Sequence, residues 1–251
     1  MTHSSRLGVM LLCCLLAGPL QAAEPELTQL SISVRGKPCS ALLLRPADAR
    51  ALLVLAHGQI MNIHHPFMES ISMALAHHGI ATLRFNFPYA EAGREQLDGE
   101  KLMIEAIAAA THEAERRRGA LPLLVGGKSV GGMMAAQALR DASLPNVEGL
   151  VLLSYPLHAP GRPSGANARR LEGVKQPILF LQGTNDSLAD LTLIQALVEK
   201  LGPKAKLEVV QDADHSFALP EGSRRSQEDV YEQLAGAIAD FAATLAPTRG
   251  G

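Results

Sequence analysis

Positive charge, long apolar runs and cysteine are all scarce in this sequence, and each scarcity removes a class of function. The 251 residues carry a formal net charge of -2 at pH 7, and the densest basic cluster is Arg116-Arg117-Arg118. Nucleic-acid binding draws on many Lys and Arg contacts to phosphate. No nucleic-acid partner is therefore expected, and the arginine run reads as the solvated end of a helix. The N-terminal apolar run, residues 7–16, falls short of the about 20 residues that a stable bilayer span takes. The three cysteines are Cys13, Cys14 and Cys39. The paired histidines, His64-His65 and His77-His78, have no Cys or carboxylate beside them to complete a ligand set, so neither metal nor cofactor is expected.

The N-terminus has the three-part layout of a secretory signal. Arg6 supplies the positive region, residues 7–16 the apolar region, and Gly18-Pro19 a break before Gln21-Ala22-Ala23. Cleavage is expected after Ala22, giving a signal peptide over residues 1–22 and an exported protein, periplasmic or secreted. A lipoprotein anchor does not fit, because Leu12 and Cys13 precede the two candidate cysteines. Cleavage leaves Cys39 alone, so no internal disulfide can form, and Cys39 reads as a small buried hydrophobe.

The remainder, residues 23–251, suits one domain with a well-buried core. Short apolar runs at residues 51–56, 80–85, 121–125, 150–154, 177–181 and 207–210 read as strands covered on both faces. Helical spacing lies between most of them: Met68, Ile71, Leu75 and His78; Met103, Ile107, Ala110 and Ala114; Leu191, Ile194, Val198 and Leu201. Ser226-Gln227-Glu228-Asp229 fits a capping box, followed by the stripe Val230, Leu234, Ile238, Phe241 and Leu245. This alternation predicts an α/β fold with a mostly parallel central sheet and helices on both faces. Residues 27–35 and 38–45 predict an antiparallel hairpin on one edge. Residues 155–176 form a long connection rich in Pro and Gly, read either as a binding loop or as disordered. Residues 246–251 read as a frayed tail.

Gly127-Lys128-Ser129-Val130-Gly131 is a G-x-S-x-G between a strand and a helix of small residues, the setting of a nucleophile elbow. A phosphate loop is the rival reading of Gly127-Lys128-Ser129. It fails because Pro122 stands where the first glycine is required. A serine hydroxyl needs a base, and the base needs orienting. His215 lies in the exit loop of the strand at 207–210, and Asp186 in that of the strand at 177–181. Both loops open at the carboxyl edge of a parallel sheet. Asp190, Asp212 and Asp214 compete for the acid's role. Oxyanion donors are expected from the backbone N–H of Val130 and from the loop after residues 51–56, at Gln59 with Ile60 as the alternative. Met133, Tyr89 and Tyr155 are the expected substrate walls. His57 reads as a structural hydrogen-bonding residue.

The segments LAHGQIMNIHHPFM, GIATLRFNFPY, VGGKSVGGMMA, LLSYPLHAPGRP, ILFLQGTND and DADHSF resemble the dienelactone-hydrolase-like branch of the α/β-hydrolases, which includes testis-expressed and chromatin-complex relatives. The resemblance covers most of the chain after residue 22. It implies the α/β-hydrolase fold without a large cap domain, and a serine triad at Ser129, Asp186 and His215. Dienelactone hydrolases use cysteine where Ser129 stands, so lactone hydrolysis does not carry over. The branch's loop after His57-Gly58 is richer in small residues than Gln59-Ile60-Met61-Asn62, which leaves the second oxyanion donor open. The expected activity is cleavage of a small ester or thioester, a small-molecule acyl substrate, through an acyl-enzyme. A peptidase or amidase on the same three residues, and an exported binding protein without turnover, are the alternatives.

Overall fold

The two turn residues Arg35 and Gly36, both with positive φ (51° and 77°), match the twist that a tight hairpin demands. They join β1 (Glu26–Val34) to β2 (Lys37–Arg45) in antiparallel register, Val34 opposite Lys37 and Ile32 opposite Cys39. The computed structural model describes residues 23–141, 144 and 146–245. The expected signal segment, 1–22, and the expected tail, 246–251, lie outside them.

The apolar runs become β3 (Ala51–Ala56), β4 (Ile80–Phe85), β5 (Leu123–Lys128), β6 (Gly149–Leu153), β7 (Ile178–Gly183) and β8 (Ala205–Val210). The sheet order is β1-β2-β4-β3-β5-β6-β7-β8. β2 meets β4 antiparallel, and every pairing from β4 to β8 is parallel. The hairpin thus extends one edge, as the sequence predicts. β5 departs from its expected bounds: it starts at Leu123 and runs on through Gly126 and Gly127 to Lys128. Its ladder is made by backbone groups alone, so a strand can outlast the apolar run that marks it.

Alternating side chains feed two cores. Leu52, Val54, Leu150, Leu152 and Phe180 pack on one face with α3 (Glu100–Arg117), α4 (Val130–Arg140) and α5 (Leu191–Leu201). Leu53, Leu55, Val151, Leu153 and Leu181 pack on the other with α1 (Pro66–His77) and α6 (Gln227–Ala243). A short α2 (Pro88–Glu91) follows β4. Pro66 opens α1 behind His65, whose ring accepts from the Phe67 N–H. The capping box of α6 is formed by Ser226 and Asp229. No helix among the described residues is long and apolar enough to cross a membrane. Because β3, β5, β7 and β8 all run the same way, their exit loops gather at one edge.

Candidate active site

Ser129 directly follows β5 and precedes the first residue of α4, with φ 53° and ψ −121°. A left-handed serine is strained by about 1–3 kcal/mol, and the surrounding packing holds it there. Its N–H donates to the Leu153 carbonyl (2.8 Å) and its carbonyl accepts from the Met133 N–H (3.2 Å). Gly131 must be glycine for the turn to close. A Cβ there would lie 2.6 Å from the His57 carbonyl oxygen and 2.7 Å from that of Ala56. The elbow therefore lies directly against the loop that leaves β3.

The exit loops of β7 and β8 are stitched to each other. Asn185 N–H donates to the Ala213 carbonyl (2.9 Å), the Asn185 amide to the Asp212 carbonyl (3.0 Å), and the Asp212 N–H to the Thr184 hydroxyl (2.8 Å). Gly183 permits this approach, since a Cβ there would sit 2.2 Å from the Ala213 oxygen. Across the seam, His215 Nδ1 lies 2.8 and 2.9 Å from the two Asp186 carboxylate oxygens. His215 Nε2 lies 2.9 Å from Ser129 Oγ. With the ring proton on Nδ1, the ring donates to Asp186 and Nε2 accepts from the serine hydroxyl. The Asp186 side chain is fully buried and that of His215 is 23% exposed. Asp186 also accepts from the Gln182 amide (2.5 Å) and the Leu188 N–H (2.8 Å).

None of the rival acids bonds the His215 ring. Asp190 caps α5 through the Thr192 and Leu193 N–H groups. Asp214 accepts from the Ser216 and Ala218 N–H groups within its own loop. Asp212 is a turn residue with φ 64°. Phe217 is buried and stacks on Phe67, anchoring the histidine's loop.

The loop after β3 is pinned along its length. His57 is fully buried. Its Nδ1 is 2.8 Å from the Gly58 carbonyl, and its Nε2 accepts from the Phe87 N–H (3.1 Å). Both bonds require the neutral ring with its proton on Nδ1, and burial pushes its pKa down from 6.5 to about 4. Further along, Asn86 accepts from the Ile63 N–H and Arg84 donates to the Ile63 carbonyl, each at 2.9 Å. Ile60 has φ 56° and is 71% exposed. That conformation is costly for a β-branched residue. Among the described residues, neither the Gln59 nor the Ile60 N–H finds an acceptor. The Val130 N–H heads the first turn of α4, where no intrahelical acceptor exists.

Of the expected substrate walls, Met133 is partly exposed in the first turn of α4. Tyr89 and Tyr155 require correction. Both are fully buried. The Tyr89 ring stacks on Phe87, and its hydroxyl donates to the Gly58 carbonyl (3.1 Å). It therefore supports the loop from beneath. The Tyr155 hydroxyl donates to the Asn167 carbonyl (2.8 Å) and its ring meets Phe180 edge-on. It fastens the long connection to the body. That connection is ordered: it holds a 3₁₀ turn at Ala166–Leu171, buries Leu171 and Val174, and pairs Arg170 with Glu100. The paired histidines go separate ways: His64 to Glu69, His78 to Glu232 and His65 to the α1 cap.

Residues 49–243 match the family described as alpha/beta hydrolase domain. Among solved structures, the chain is similar to a dienelactone hydrolase from Anabaena variabilis at 22% identity, over 89% of this chain and 97% of that one, with a TM-score of 0.66. It is similar to an esterase domain from Rhodothermus marinus at 16% identity, over 88% and 100%, with a TM-score of 0.67. It is also similar to a serine hydrolase without a lid from Xanthomonas campestris at 20% identity, over 89% and 98%, with a TM-score of 0.64.

Proposed function

We propose, from the premise that the chain belongs to the alpha/beta hydrolase domain family, that it cleaves a small ester or thioester with Ser129, His215 and Asp186 as its triad. The observation that carries this reading is the unbroken run of hydrogen bonds from the Ser129 hydroxyl through the imidazole to a buried carboxylate.

The chemistry follows from that run. His215 Nε2 takes the Ser129 proton as Oγ attacks the acyl carbon, forming a tetrahedral intermediate. The Val130 N–H and one N–H of the Gln59-Ile60 turn receive the oxyanion. A left-handed residue such as Ile60 is one half of the backbone arrangement by which successive N–H groups bind an anion. His215 then passes its proton to the leaving alcohol or thiol. Water, activated by the same ring, releases the acid and restores Ser129. Asp186 keeps Nδ1 protonated and balances the imidazolium's charge.

The absence of a large cap among the described residues, together with the exposure of Gln59 and Ile60 at the rim, favours a small or shallowly held acyl group with Met133 against it. Similarity to an esterase domain and to a lidless serine hydrolase points the same way. We place the mature protein outside the cytoplasm, after cleavage behind Ala22, which N-terminal sequencing of the exported protein would read. The function is tested with a fluorophosphonate probe. Wild-type protein becomes labelled at Ser129, and Ser129→Ala does not. Folded wild-type protein that resists labelling and hydrolyses no p-nitrophenyl ester would sink the reading.

A further inference from the structure

Lys128 has no task in the acyl-transfer scheme, although it adjoins the nucleophile. Its side chain is buried (1% exposed). Its ammonium donates to the main-chain carbonyl of His215. It also lies 5.5 Å from the Phe217 ring centroid and 5.9 Å from that of Phe67. A buried ammonium is costly unless it is well engaged. Among the described residues, no carboxylate comes within ion-pairing distance of it. A methionine would fill this apolar space with no charge to desolvate. The charge is instead spent on one carbonyl, that of the residue whose ring must sit between Ser129 and Asp186.

We propose that Lys128 is a positioning residue: its protonated amine clamps the backbone of residue 215, and turnover falls when that proton is lost. The proposal deepens the hydrolase reading and rests on it. Charge-assisted hydrogen bonds are roughly twice as strong as neutral ones, and only the cation is drawn to the two aromatic rings. Loss of the proton therefore loosens the loop that carries the imidazole, while the strand beneath stays in place. The titratable groups facing Lys128 are Asp214 and His215 on its partner loop, Asp186 on the β7 exit loop and His65 at the start of α1. Burial pushes the Lys128 ammonium down from 10.5 to about 8, against the opposing pull of Asp186 and Asp214. The protonated form is therefore the working one below this value, and activity drops above it.

The test is the pH profile of kcat/KM for p-nitrophenyl acetate, with folding followed by circular dichroism, in wild type, Lys128→Met and Lys128→Arg. Wild type is expected to lose activity with a midpoint near pH 8. Lys128→Met is expected to fall about 10- to 100-fold in kcat at pH 7, with KM little changed, and to lack that alkaline limb. Lys128→Arg keeps its charge, so its limb moves upward. A wild-type profile that stays flat to about pH 9.5 overturns the proposal without any variant. So does a Lys128→Met profile that keeps the wild-type limb and rate. Wild-type protein that no fluorophosphonate labels overturns the hydrolase reading itself, and this inference falls with it.

Discussion

Asp186 shows how burial chooses among chemically equal side chains. Four aspartates lie on the two loops nearest the histidine or at the start of α5. Asp186 alone among them reaches the His215 ring, and it does so with its side chain fully buried. Asp186→Asn keeps the shape but lets an amide face Nδ1, which favours the wrong ring tautomer. Turnover should drop by about 10⁴-fold, with KM moving far less and the far-ultraviolet circular dichroism unchanged. A loss below about tenfold would show that another group orients the ring. That Ser129, Asp186 and His215 would meet was legible in the sequence because each sits at a fixed place after a strand. The residues that hold them were not. Lys128 reads as a fragment of a phosphate motif, and Gln182 as the first residue of an exit loop. Neither contact, to the His215 carbonyl or to the Asp186 carboxylate, leaves any pattern along the chain.

Strands and helices were read well where one periodicity ruled a whole segment. β3 and β4 match their apolar runs end to end, and α6 begins at its capping box. Errors gather where elements end. Tyr89 and Tyr155 follow strand exits beside prolines, which suggests exposed loop walls. The chain instead turns inward there, and both phenols find carbonyls beneath the surface. Side-chain direction at an element's end depends on tertiary packing, which spacing does not record. The packing of the elbow against the loop after β3 gives a prediction at this scale. Gly131→Ala sets a methyl 2.6 Å from one backbone oxygen and 2.7 Å from another, and neither oxygen can swing aside. The helix start or the loop must shift, at a cost of about 1–3 kcal/mol. The Tm should fall by at least roughly 2 °C, and fluorophosphonate labelling of Ser129 should slow more than the stability loss accounts for. Unchanged Tm and labelling would mean that the loop yields freely.

The whole molecule's stability toward acid should be set in part by His57. Its ring joins the exits of β3 and β4, accepting from the Phe87 N–H while Nδ1 faces the Gly58 carbonyl. Phe87 and Tyr89 pack edge-on against it. Protonation would turn the accepting nitrogen into a donor aimed at another donor, in a fully buried site. Burial therefore lowers the folded pKa from 6.5 to about 4. The sign follows from the proton count: between these values the unfolded chain binds a proton that the folded chain refuses, so stability falls as pH drops through that window. The interval corresponds to about 3 kcal/mol, a large share of the 5–15 kcal/mol typical of a domain. Urea titrations from pH 7.5 down to pH 4 should show wild type losing about that much more than His57→Gln, which offers an acceptor and a donor but does not titrate. The same conflict pulls on the loop that carries Gln59 and Ile60, so ester hydrolysis should fail in acid before the fold melts. Parallel stability curves for wild type and His57→Gln across this range would mean that another group governs the acid limb.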